Sequence, residues 1–122
     1  MCERVRCGAG SERTVRGWMR RFRPQAFACG NDMGAYKLMG TLSRLGIAVP
    51  KDVMVTGFDG LSAGENLQCS LTTIVQPLEN MGATAVSRLV DRVRSRSLPR
   101  CTIALDAPLL VRESTTDTRR KS

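Results

Sequence analysis

Residues 26–59 read AFACGNDMGAYKLMGTLSRLGIAVPKDVMVTGFD, and the order of apolar and chain-breaking residues within them decides the fold. Ala26, Phe27, Ala28 and Cys29 form an apolar run too short for a helix, bounded by Gly30 and Asn31. Val53 to Phe58 is a second β-rich run with little polar alternation, the pattern of a strand covered on both faces. Between them Leu38, Met39, Leu42 and Leu45 recur at helical spacing, with Asn31 or Asp32 available as the N-cap and Gly46 closing the C-terminus. The stretch is therefore predicted to fold as strand, helix, parallel strand. Units of this kind have their ligand crevice at the carboxyl ends of the strands. Asn31 follows the first strand and Asp59 follows the second, which makes them the first functional candidates.

Working outward, residues 1–10 lack periodicity and are expected to be unstructured. Ser11 to Phe22 is predicted helical, with Ser11 and Thr14 as capping residues and Val15, Trp18, Met19 and Phe22 on one face. Arg23-Pro24-Gln25 ends it. Beyond Asp59, residues 60–70 are Gly/Ser-rich and read as a loop with one helical turn around Ala63 to Leu67. Leu71 to Val75 is a third strand, and Pro77 suits the first turn of a helix over Leu78 to Arg94. In that helix Val86, Leu89, Val90 and Val93 are expected to face inward, with the arginines of residues 88–96 outside. Thr102 to Leu105 and Leu109 to Arg112 are expected to be short closing strands. Residues 116–122 are polar and expected to be disordered.

Composition narrows the function classes. The 122 residues suffice for one domain with a real core. No apolar run is long enough to span a bilayer. The start, MCERVRCGAGSER, has no apolar h-region, so the expected location is cytoplasmic. Five cysteines at irregular spacing, no CxxC pair and no histidine give a zinc site little support, and no metal or cofactor is expected. The net charge of +8 raises nucleic-acid contact. Against it, there is no helix-turn-helix pattern, zinc-finger spacing or aromatic platform, and sixteen of the basic residues are arginine against three lysines, which fits a coding bias.

The chain resembles the C-terminal half of the sensor domain of LacI/GalR-type transcriptional regulators. The residues that carry the resemblance are Cys29-Gly30-Asn31-Asp32, the helix through Leu45-Gly46, Val49-Pro50-Lys51-Asp52-Val53 and Val55-Thr56-Gly57-Phe58-Asp59. They continue in Leu71-Thr72-Thr73-Ile74-Val75-Gln76-Pro77, Met81-Gly82 and Pro108 to Thr115. The resemblance covers roughly residues 24–115. It implies an α/β fold, an incomplete parallel-sheet, three-layer lobe of the periplasmic-binding-protein-like type I fold, over residues 11–115. The helix of residues 77–95 would belong to the other lobe, nearly all of which is missing here, and without a native sheet to cover it would dock elsewhere, expose its apolar stripe or mediate association. The resemblance further implies sensing of a small effector such as a sugar, with DNA contacted only through a headpiece absent from this chain.

On that resemblance the ligand-binding candidates are Asn31, Asp59, Gln76 and Leu78. A carboxylate such as Asp59 accepts two hydrogen bonds from adjacent hydroxyls, and an amide such as Asn31 matches a hydroxyl that both donates and accepts. Gln76 would reach the same cleft from the end of the third strand, and Leu78 would lie against the sugar ring. Each also has a structural reading: Asn31 as a helix cap, Asp59 as a turn cap, Gln76 as a crossover residue bonded to backbone, Leu78 as core. Asp32 is expected to be the helix cap rather than a ligand group. Tyr36 and Leu67 are the expected homodimer contacts.

Catalysis is not expected. Without histidine there is no His-based triad, Ser62 and Ser70 lack a nucleophile elbow, and Gly57, Gly60 and Gly64 match neither GxGxxG nor a P-loop. Asp52 and Asp59 lie at opposite ends of one strand, which argues against joint acid–base work. The alternatives are a fragment of a transporter's sugar-binding protein and a truncated remnant without independent function.

Overall fold

The computed structural model describes residues 11–61 and 69–116. The expectations for residues 1–10, for the turn around Ala63 to Leu67 and for residues 117–122 lie outside the described residues. Helix α1 spans Glu12–Phe22, strand β1 Ala26–Ala28, helix α2 Asp32–Arg44 and strand β2 Met54–Asp59. Strand β3 (Thr72–Val75), helix α3 (Leu78–Arg94), strand β4 (Leu109–Leu110) and a 3₁₀ turn (Glu113–Thr115) follow. The sheet order is β1-β2-β3-β4, parallel through β3 and antiparallel at β4. This is the expected α/β class with a parallel sheet.

Local chemistry explains the ends of the elements. The Ser11 side chain caps α1 by accepting from Thr14 N at 3.4 Å, and Arg23, in the left-handed region at φ 44°, turns the chain out ahead of Pro24. Asn31 caps α2, its Oδ1 accepting from Gly34 N at 2.7 Å. Gly46, at φ 72°, lets the chain leave α2 through a conformation that a Cβ would strain. At the other end of β2, Asp52 accepts from Ala48 N at 2.8 Å and closes the turn before Val53.

The core lies on one face of the sheet. Ala35, Leu38, Met39 and Leu42 form the buried stripe of α2, and they pack with Val15, Phe27, Val53, Val55 and Leu71. The register aligns Phe27 with Val55, and the Trp18 and Phe27 ring centroids lie 6.2 Å apart, which places α1 over the same face as α2. Phe22 departs from expectation: it is exposed, with the Arg21 guanidinium 5.0 Å from its ring centroid.

The opposite face corrects the reading of β2 as a strand covered on both sides. Phe58, Ile74 and Leu109 align across three strands there; Phe58 and Leu109, with Met54 lower on the same face, are exposed. Thr72 is the exception, buried beneath the 3₁₀ turn. Below it, Ser114 is fully buried, accepting from Thr72 N at 2.8 Å and donating to Val55 O at 2.7 Å. It joins β2 and β3 where their ladder begins. Thr116, expected in a disordered tail, instead donates from Oγ1 to Arg112 O at 2.8 Å. The lobe is thus incomplete among the described residues: one helical layer is present, the second is not.

Two further expectations are corrected. The stripe of α3 does not face inward but is exposed, one of the outcomes expected of this helix without the other lobe: Val86, Leu89 and Val93 are 61%, 64% and 75% exposed, Val90 is exposed as well, and no residue of α3 is buried. The periodicity is amphipathic, but burial needs an apposed surface, and no described element supplies one. Residues 102–105 form no strand, and β4 holds only Leu109–Leu110. A strand needs a ladder partner, and the free edge of β3 is taken by Leu109 and Leu110.

Candidate functional site

The candidates meet at the carboxyl edge of the parallel strands. Ala28 aligns with Thr56, and Asp59 aligns with Val75. Asn31 stands three residues beyond Ala28, outside the ladder, and Asp59 is the last residue of β2. Gln76 follows Val75 directly. The structure brings Asp59 and Gln76 into contact: Gln76 Nε2 donates to Asp59 Oδ1 at 2.6 Å, and Gln76 N donates to Asp59 O at 3.2 Å. Both side chains are half-buried, so the pair is partly shielded while still reachable from the edge.

Asn31 is exposed and bonds to neither of them. Its cap to Gly34 N uses the carbonyl oxygen and leaves the NH₂ end pointing its two donors elsewhere; cap and ligand contact are compatible. Leu78 opens α3 and is 64% exposed, so it is not plain core. Tyr36 is half-buried and donates from its hydroxyl to Leu61 O at 3.1 Å. Leu67 lies outside the described residues. An apolar cleft of about 540 Å³ lies away from this edge, lined by Tyr36, Met39, Ile47, Val49 and Cys69 among others; none of the four ligand candidates lines it.

Asp32 has a different place from the one expected. Asn31 is the cap; Asp32 is the first residue of α2 and is fully buried. Its Oδ2 accepts from Gly60 N at 2.9 Å and Leu61 N at 2.8 Å, and its Oδ1 accepts from Thr73 Oγ1 at 2.6 Å. The turn after Asp59 is therefore held from below. Gly57 makes room for this: a Cβ there would collide with Asp32 Oδ1 and meet Leu71 Cδ2 at 2.9 Å. Sequence reasoning missed the role of Asp32 and Thr73. The available signal was Gly57, since a glycine inside a strand often marks the close approach of another group.

Comparison with known proteins agrees with this architecture. The family described as "Periplasmic binding protein-like domain" matches residues 3–115. The chain belongs to that family. Within it, the chain matches part of the effector-binding domain of LacI/GalR-type regulators. It is similar to the HTH-type transcriptional repressor PurR of Photobacterium profundum, 35% identical over 95 residues, which are 78% of this chain and 28% of that protein. A LacI-type transcription regulator from Bifidobacterium animalis superposes with TM-score 0.74 at 32% identity, over 86% of this chain and 38% of its own. A LacI family regulator from Arthrobacter sp. FB24, solved in complex with lactose, superposes with TM-score 0.74 at 29% identity, over 93% and 42%. The chain thus spans well under half of each of these periplasmic-binding-protein-like relatives.

The site contains groups that accept and donate hydrogen bonds: the Asp59 carboxylate and the Asn31 and Gln76 amides. Among the described residues no cluster of His, Cys, Asp or Glu has the composition of a metal site, and no helix is long and apolar enough to cross a membrane.

Proposed function

We propose that this chain contributes one wall of a small-effector site in a LacI/GalR-type regulator, and that the effector is a polyol, most simply a sugar. One observation carries the reading: Asp59 and Gln76 are bonded to each other at the carboxyl edge of a parallel sheet. Asn31 follows the neighbouring strand, β1. A carboxylate with one oxygen already oriented by an amide presents the other to a pair of hydroxyls. Leu78 supplies an apolar surface beside them.

In the intact regulator the effector would bias two arrangements of the two lobes, and so the geometry of a DNA-binding part outside these residues. The role is binding rather than catalysis, and the place of work is the cytoplasm. Tyr36, on α2 and in contact with the start of the loop after Asp59, is the proposed homodimer contact. Leu67 keeps that role as a sequence-based proposal, as does the assignment of α3 to the other lobe. Support comes from regulators as relatives and from the lactose complex of the Arthrobacter neighbour.

The test is a thermal melt of the chain against lactose and a panel of pentoses, hexoses and nucleobases. The reading expects an upward shift with one class of polyol, abolished by Asp59→Ala. A cooperative melt unmoved by every ligand would show that this part of the site does not bind alone. The absence of a cooperative melt would favour the remnant alternative.

A further inference from the structure

Asp32 is a carboxylate with no exposed surface, and it is not used to cap its own helix. Burying such a group is unfavourable unless hydrogen bonds replace the lost water. Its replacements come from three donors remote in sequence: the backbone N–H groups of Gly60 and Leu61, at 2.9 and 2.8 Å, and the Thr73 hydroxyl, at 2.6 Å. Two of these belong to the turn that immediately follows Asp59. That turn is unusual in its backbone. Asp59 has φ 139°, a sparsely populated region for a residue with a side chain, and Gly60 follows at φ 81°. Such conformations persist when their surroundings over-determine them. If the turn moved away, the buried carboxylate would lose two of its three partners, so the turn is held.

The same contacts tie the site together across three strand ends. Asp32 is bonded in sequence to Asn31, through Gly60 to Asp59, and through Thr73 to β3, the strand that Gln76 directly follows. Gly57 lacks the Cβ that would displace the carboxylate. We infer that Asp32 is the positioning residue of the site: through Gly60, Leu61 and Thr73 it sets the backbone of Asp59, and so the relative placement of Asn31, Asp59 and Gln76, without touching the effector. This inference rests on the polyol reading for its functional consequence, but its structural core can be read without any ligand.

The experiment is amide hydrogen exchange on the full chain, in the parent and in Asp32→Ala, Asp32→Asn and Thr73→Val. Asp32→Ala should speed exchange at Gly60 and Leu61 by at least about tenfold while Leu38 and Leu42 in α2 keep their protection. Asp32→Asn retains an acceptor oxygen and should restore part of that protection, a rescue that a mere packing role would not show. The side-chain amide resonances of Gln76 should shift in Asp32→Ala, because its partner Asp59 moves. Should Asp32→Ala fail to fold, Thr73→Val removes one donor to the same carboxylate and should still raise exchange at Gly60 and Leu61 severalfold. Parent-like exchange at both amides in every folded variant would overturn the inference. Lactose titration of the same samples separates the two ideas: amides that respond as expected in a parent that does not bind lactose uphold the role of Asp32, and show only that this part of the site does not bind that sugar alone.

Discussion

Gln76 donates its side-chain amide to Oδ1 of Asp59 at 2.6 Å, and its backbone N–H to the carbonyl of the same residue at 3.2 Å. Two residues that sequence reading singled out separately are thus one unit, built across the ends of β2 and β3. Replacing Gln76 by Leu should cost about 1 kcal/mol in stability, because a half-buried carboxylate loses a donor. Gln76→Glu is the sharper test. It sets two carboxylates in contact, so it should be less stable than the parent at neutral pH and regain stability in acid, where one of the pair is protonated. Urea denaturation at about pH 7 and about pH 4 checks both.

Gly60 and Gly17 should respond in opposite directions to alanine. At Gly60 the backbone has φ 81° and a Cβ would sit 2.9 Å from Val75 Cα, a backbone atom that cannot rotate aside. Gly60→Ala should destabilise by about 1–3 kcal/mol. Gly17 lies within α1 with nothing within 4 Å of its added Cβ. There, Gly17→Ala should stabilise by about 0.5–1 kcal/mol. Denaturant midpoints of the two variants decide the matter.

Glu113 should make stability depend on pH at the acid end. Its Oε2 accepts from Ser70 N at 2.8 Å and Ser70 Oγ at 2.9 Å, and the backbone bond first, then the side-chain bond, hold its pKa below the ordinary glutamate value. A lowered folded-state pKa contributes stability above the unfolded-state value, lost as pH falls through the folded-state value. The difference in Tm between the parent and Glu113→Gln should therefore shrink on acidification. The same variant should ease titration of Cys69, whose thiol is pushed up mainly by burial and secondarily by Glu113. Melts across the acid range and alkylation rates at Cys69 test the two halves.

The apolar stripe of α3 should matter for association and not for folding of the lobe. Leu89→Glu and Val93→Lys alter side chains that are 64% and 75% exposed. Each should leave denaturant stability within about 0.5 kcal/mol of the parent. Each should also lower binding of an apolar dye and the tendency to self-associate, because a contiguous apolar strip is being interrupted. Light scattering and dye fluorescence measured together are sufficient.

Periodicity and turn chemistry were enough to lay out the chain from α1 to α3. Each rests on contacts between residues close in sequence: the Ser11 and Asn31 caps, the Gly46 exit, and the helical spacing of Leu38, Met39, Leu42 and Leu45. The position of Asn31, Asp59 and Gln76 at the carboxyl edge follows from the parallel order of the strands, and so was legible as well. The strand expected at Thr102 to Leu105 was not, because pairing depends on which edge is free, and Leu109 and Leu110 occupy it. The four α3 residues expected to face inward show the same limit, since amphipathic spacing announces a face without providing its cover.

Short-range spacing and residue chemistry lay out the helices, the strand, helix, parallel strand unit of β1, α2 and β2, and the candidate edge. The packed fold alone sets the bond between Asp59 and Gln76. It also decided that Asp32, an acid at a helix start, is buried beneath Gly60, Leu61 and Thr73. Those contacts join residues 17 to 41 positions apart. Their energy comes from the desolvation of a carboxylate in a particular packed place, and no local pattern encodes that.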